Sequence, residues 1–132
     1  MIDYKKQGKR NRAAGALFEL KVRKELESTG VIIGKWPNNI DLEKYKCHAA
    51  KTNRFNMRNM GFPDFFYYSP SHGDTRLHFV ECKVNGKLSK IEKEKAQWYL
   101  IRGYCSKFFI ASKSIVNGKI HITYKEVEQH GK

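Results

Sequence analysis

The sequence predicts an α/β domain with a mixed, twisted sheet flanked by helices. Three observations point there: a helix-period apolar stripe near the N-terminus, short β-branched and aromatic runs separated by Gly, Pro and Asn, and a second helical pattern behind a capping box. The chain has 132 residues, 40% hydrophobic and 13% aromatic, which suits one packed core and argues against global disorder.

Residues 1 to 12 carry Lys5, Lys6, Lys9, Arg10 and Arg12 against the single acid Asp3, too polar a segment for a core, and are expected to form a mobile basic arm. From Arg12 onward helix formers dominate, and Ser28-Thr29-Gly30 is a fitting stop, so the first helix is predicted over roughly 12 to 29. Its buried stripe reads Ala14, Phe18, Val22 and Leu26, with Leu17 widening it. Glu19 falls at the margin of that stripe, where a carboxylate can point into a cleft.

Val31, Ile32 and Ile33 predict a short first strand. Residues 34 to 61 lack clean periodicity and read as a long, partly helical basic loop carrying Lys44, Lys46, Lys51, Arg54 and Arg58. The interleaved Trp36, Tyr45, Phe55 and Phe62 suit either base stacking or folding of that loop onto the core.

Asp64 to Tyr68 reads as a strand, the turn formers from Ser69 to Asp74 close a hairpin, and Leu77 to Val84 forms its second arm. Strand alternation then puts Leu77, Phe79, Glu81 and Lys83 on one face and His78, Val80 and Cys82 on the other. Asn85-Gly86 ends the strand, and Ser89 with Glu92 forms the capping box of a second helix that should stop near Gly103. Two more strands, Phe108 to Ala111 and Lys119 to Tyr124, are joined at Asn117-Gly118. The predicted order is α, β, β, β, α, β, β.

Charge narrows the partner. Twenty-six Lys plus Arg against thirteen Asp plus Glu leave a net +13, whose self-repulsion a polyanion relieves, and nucleic acid is the first candidate. A membrane is not expected, because there is no apolar run of about 18 residues and Met1 to Arg12 lacks the apolar centre of a signal peptide. A soluble, intracellular (cytoplasmic) protein is therefore expected. Cys47, Cys82 and Cys105 are odd in number and widely spaced, so reduced thiols are expected. The pairs Cys47/His48 and His72/His78 have no second cluster to complete a zinc site.

The chemistry concentrates at Pro63-Asp64 and, seventeen residues on, Glu81-Cys82-Lys83. On adjacent hairpin strands the two carboxylates meet, and their repulsion is resolved by a divalent cation. Oxygen ligands favour Mg2+ or Mn2+, with coordination positions left for water and a phosphate oxygen. Lys83 can then orient the attacking hydroxide or stabilise developing charge in phosphodiester hydrolysis. Taken singly, Asp after Pro is an ordinary turn residue and Glu-x-Lys an ordinary strand ion pair; their combination with the charge and element order favours the nuclease.

Gly-Phe-Pro-Asp64 followed by Phe-Val-Glu81-Cys-Lys83 resembles the motif of the PD-(D/E)XK nuclease superfamily. The resemblance implies a restriction-endonuclease-like αβββαβ core. It also implies Glu19, Asp64, Glu81 and Lys83 in the active site, with Asp64 and Glu81 as metal ligands, the backbone carbonyl of Cys82 as a third, Glu19 assisting through metal or water, and Gln97 as an additional polar residue from the second helix.

Lys9-Arg10 and Arg12-Ala-Ala-Gly15 ahead of Glu19 are similar to the start of archaeal Holliday junction resolvases. Leu88-Ser89 with Gln97-Trp98 resembles VRR-NUC domains. The resemblance spans roughly residues 9 to 111 and is most specific over 61 to 83.

The implied activity is a Mg2+- or Mn2+-dependent DNA endonuclease, with branched or duplex DNA as substrate, a homodimer as the working form and no small-molecule cofactor. Lys5, Lys6, Lys9, Arg10, Arg12, Lys44, Lys46, Lys51, Arg54 and Arg58 are expected to grip phosphates. The alternatives are a flap or end nuclease like the VRR-NUC domains and a non-catalytic nucleic-acid-binding protein on the same fold.

Overall fold

The computed structural model describes residues 4–50, 61–70 and 74–130, apart from the side chains of residues 4–11, 74 and 75. The elements run α1 (Tyr4–Ser28), β1 (Ile32–Lys35), β2 (Asn38–Asp41), β3 (Lys46–Ala49), β4 (Phe65–Ser69), β5 (Asp74–Cys82), α2 (Lys90–Ile101), β6 (Lys107–Val116) and β7 (Lys119–Val127). They form an α/β protein whose five-stranded mixed sheet has the order β1-β4-β5-β6-β7, with β2 and β3 as a separate hairpin. Among the described residues only β5 and β6 pair in parallel, with α2 as the crossover that a parallel connection requires.

The sheet is covered on both faces because successive residues of β5 point opposite ways. Phe79 joins Phe108, Ile110 and the α2 residues Ala96, Tyr99 and Leu100. Its neighbour Val80 joins Ala111 and the α1 residues Phe18 and Val22. The side-chain alternation read from the sequence therefore holds. Glu81 and Lys83 share the parity of Phe79 and lie on the α2 side.

Helix α2 begins as its residues dictate: Ser89 Oγ accepts from Glu92 N (3.1 Å), and Glu92 Oε1 accepts from Ser89 N (2.8 Å). The β6–β7 turn likewise has Asn117 at φ 52° and Gly118 at φ 75°, the left-handed pair that a two-residue hairpin demands.

Three expectations need correction. Helix α1 starts at Tyr4, so the basic segment continues the helix where a mobile arm was expected; lysine, arginine and glutamine are good helix formers. Leu17 does not widen the buried stripe, being 68% exposed, and Ala14 is exposed as well. The region read as a loop contains the β2–β3 hairpin, paired from Asn38↔Ala49 to Asp41↔Lys46. Asp41 Oδ1 caps its turn by accepting from the backbone of Glu43 (3.0 Å) and Lys44 (3.2 Å).

Trp36 and Phe62 resolve toward the core: Trp36 packs on Phe79 with ring centroids 4.7 Å apart, and Phe62 lies against Tyr99 and Phe108. Tyr45 is exposed, and Phe55 is outside the described residues. Cys47, Cys82 and Cys105 are free thiols. Among the described residues no helix is long and apolar enough to cross a membrane.

Candidate active site

Asp64 precedes β4, and Glu81 lies near the end of the neighbouring β5. The β4–β5 register pairs Phe65 with Val80, which sets the two acids side by side. Each is tied to the other's strand: Asp64 N donates to Glu81 Oε1 (2.9 Å), and Cys82 N donates to Asp64 Oδ2 (2.8 Å). This reciprocal arrangement fixes both carboxyl groups through backbone donors and leaves little rotamer freedom to be lost when a ligand binds.

The segment carrying Asp64 is anchored from α2. Tyr99 OH, on a fully buried side chain, donates to Phe62 O (2.7 Å) and accepts from Trp36 Nε1 (3.0 Å). Trp36 N in turn donates to Asp64 O (3.2 Å). These buried polar groups have each found a partner, so the turn before β4 is held in one geometry.

Glu81 is buried, and its pKa is raised well above the usual carboxylate value. Burial is the main cause, followed by the Asp64 charge and a hydrogen bond to Asp64, with Lys83 opposing. Lys83 Nζ lies 3.5 Å from Glu81 Oε2 and 2.8 Å from Glu92 Oε2. Burial alone would lower the lysine pKa, but the hydrogen bond to Glu92 and the charges of Glu81 and Glu92 outweigh it and hold the pKa above its ordinary value. For Glu92, burial is outweighed by Lys83 and by the Ser89 backbone, leaving its pKa below the ordinary carboxylate value.

Glu19 reaches this region through its field. The Cys82 thiol pKa is pushed up by burial first, then by the charges of Asp64, Glu19 and Glu81. Among the described residues, however, no three His, Cys, Asp or Glu side chains are grouped so as to hold a metal ion together. Glu19 is thus not drawn into a side-chain ligand set with the pair.

Gln97 is engaged elsewhere: its Nε2 donates to Glu128 O (2.7 Å), and its Oε1 accepts from His130 N (2.8 Å), so both amide atoms are spent on the C-terminal segment. The resemblance assigned it to the acidic site; the fold gives it to the chain end following β7. A cleft of about 1110 Å³ beside it, lined in part by Lys90, Lys93, Trp98 and Lys125, includes none of Asp64, Glu81 and Lys83.

Of the expected phosphate-gripping residues, Arg12 is exposed on α1, and Lys44 and Lys46 are exposed at the β2–β3 turn. Lys5, Lys6, Lys9 and Arg10 belong to α1, but their side chains are outside the described residues, as are Lys51, Arg54 and Arg58 entirely. Sequence reasoning missed Glu92 as a neighbour of Lys83, because its capping-box spacing already accounted for it. It also missed Tyr99, whose buried hydroxyl carries no local signature.

The donor set suits a hard cation. Asp64 and Glu81 bring two carboxylates together from adjacent strands, with burial and mutual repulsion opposing ionisation of Glu81, a conflict that a divalent ion would relieve. Two protein carboxylates are also what Mg2+ commonly takes, the remaining positions going to water and phosphate oxygens.

The raised Glu81 pKa has a signed consequence. A carboxyl group whose pKa is higher folded than unfolded contributes stability that is fully present below the ordinary carboxylate pKa and is lost as pH rises through the folded value. In chelator, Glu81→Gln should therefore be more stable than the parent at neutral pH, with the difference vanishing near pH 4. Thermal unfolding across that range checks this; a pH-independent difference would mean that ionisation of Glu81 is not the source.

Comparison with protein-family models, with curated proteins and with solved structures returns no match for this chain.

Proposed function

We propose that this protein is a metal-dependent nuclease of the PD-(D/E)XK type, a DNA endonuclease acting inside the cell with a preference for branched structures. The observation that carries the reading is the reciprocal locking of Asp64 and Glu81 across β4 and β5, with the Lys83 ammonium 3.5 Å from Glu81. The element order supports it: setting the β2–β3 hairpin aside as an insertion, α1, β1, β4, β5, α2 and β6 run in the order of an αβββαβ core. The net charge of +13 supports a polyanionic substrate.

Asp64 and Glu81 would hold Mg2+ or Mn2+, with the Cys82 backbone carbonyl as a further ligand and Glu19 acting at longer range through water. Held there, such a cation would supply charge neutralisation at the phosphate and a water of lowered pKa. Lys83 places its ammonium where the attacking oxygen is oriented and the phosphorane charge develops. The basic residues of α1 and of the segment from Lys44 to Arg58 bind phosphates and fix the register of the nucleic acid. A homodimer would supply the two sites needed to cut two strands symmetrically.

A second reading, a nucleic-acid-binding protein without turnover, is favoured by one observation: no three-side-chain ligand group occurs among the described residues.

Labelled four-way junctions, flaps, duplex and single strands, incubated with Mg2+ or Mn2+, separate the readings. The nuclease should cut at least one of them, and Lys83→Ala should lower the rate about a hundredfold or more. Binding without cleavage on every substrate and metal favours the second reading. In both cases log affinity should fall against log salt by about 0.9 per phosphate neutralised on duplex.

A further inference from the structure

We infer that Glu92, on the first turn of α2, is a positioning residue for Lys83. The inference rests on the nuclease reading for its meaning in turnover, and on geometry alone for its meaning in structure. The two oxygens of the Glu92 carboxylate do separate work: Oε1 accepts from Ser89 N at 2.8 Å and closes the capping box, while Oε2 meets Lys83 Nζ at 2.8 Å. The carboxylate is thus oriented by its own helix before it meets the lysine.

Without such a partner a lysine is a point charge on a flexible four-carbon stem, and ordering it costs rotamer entropy each time it must act. Glu81 cannot supply the restraint by itself. Its nearer oxygen to the lysine is at 3.5 Å, and its other oxygen accepts from Asp64 N. The short contact comes from Glu92, and it sets Lys83 beside Glu81 in one rotamer. The β5–β6 ladder extends to the same residue, with Lys83 N donating to Ala111 O at 2.9 Å, so backbone and side chain are both held. Helix α2 consequently serves both halves of the site: Tyr99 fixes the segment before Asp64, and Glu92 fixes the lysine after Glu81.

The chemistry of the cap permits a clean test. Glutamine also closes a capping box, so Glu92→Gln keeps the bond to Ser89 N and removes the charge facing Lys83. Ser89→Ala does the converse: it removes the hydroxyl acceptor of the cap and leaves the backbone N–H and the Glu92 carboxylate in place.

Glu92→Gln should lower kcat about tenfold with KM unchanged and with little change in Tm. Ser89→Ala should lower Tm and leave kcat within about twofold of the parent. A merely structural role for Glu92 requires the two variants to change stability and turnover together, and that result overturns the inference. Independently of any activity, reductive methylation read by peptide mass spectrometry should label Lys83 several times faster in Glu92→Gln, with Lys87 and Lys90 unchanged. Equal labelling of Lys83 in parent and variant also overturns it. A parent protein that cuts no substrate defeats the nuclease reading, while the labelling result still decides whether Glu92 holds Lys83.

Discussion

Asp64→Asn is expected to reduce cleavage by about three orders of magnitude or more while leaving nucleic-acid affinity unchanged or slightly tighter. Asparagine keeps an oxygen able to accept from Cys82 N, the 2.8 Å bond by which Asp64 is tied to β5, so the local geometry should survive. What disappears is the negative charge proposed to share a cation with Glu81. A loss of about 4 kcal/mol of transition-state stabilisation, within what a metal site supplies, corresponds to about a thousandfold in rate. Affinity measured in chelator should not fall, because the proposed phosphate grip belongs to lysines and arginines and one repelling charge would be removed. Parallel gel-shift and cleavage assays check this; an equal fall in both would mean that Asp64 is a structural residue.

The second large effect is on stability. Phe79→Ala should destabilise the protein by about 3–5 kcal/mol, a large part of the roughly 5–15 kcal/mol that holds a domain of ordinary stability together. Phe79 is fully buried on the central strand β5, with ring centroids 4.7 Å from Trp36, 5.0 Å from Tyr99 and 6.2 Å from Phe108. Removing its ring opens a cavity among aromatic neighbours that are themselves pinned, Tyr99 and Trp36 by hydrogen bonds, so they can relax little into the space. Because Tyr99 also holds Phe62 O, activity should fall with stability, unlike in Asp64→Asn. Urea denaturation measures the change, and a value below about 1.5 kcal/mol would show that the cluster collapses to fill the gap.

What could be read from the sequence follows the range of the interactions concerned. The capping box of α2, the Asn117-Gly118 turn and the alternation of Phe79, Val80, Glu81 and Cys82 are set by neighbours a few residues away, and the structure reproduces them. The adjacency of Asp64 and Glu81 was also within reach, since a hairpin needs only its turn to fix which residues face each other.

The β2–β3 hairpin was not legible. Its strands are four residues each and Ile40 alone among these eight is buried, so there is too little apolar alternation to betray them. The early start of α1 was hidden for a different reason, because the sequence from Tyr4 to Arg12 has helix formers but no apolar stripe at helical spacing. Glu92 and Gln97 exchanged expectations through tertiary contacts alone. The fold turns Glu92 toward Lys83 and hands Gln97 to the backbone of Glu128 and His130.

If Asp64 and Glu81 together hold a hard divalent cation beside Lys83, calorimetric titration of Mn2+ will show it. In two buffers of different ionisation enthalpy near neutral pH, one saturable site per chain is expected. Any proton release on binding should grow as the pH is lowered, as the upward direction of the Glu81 shift requires. Binding should be lost in Asp64→Asn. No saturable Mn2+ binding by the parent, or undiminished binding by Asp64→Asn, would contradict it.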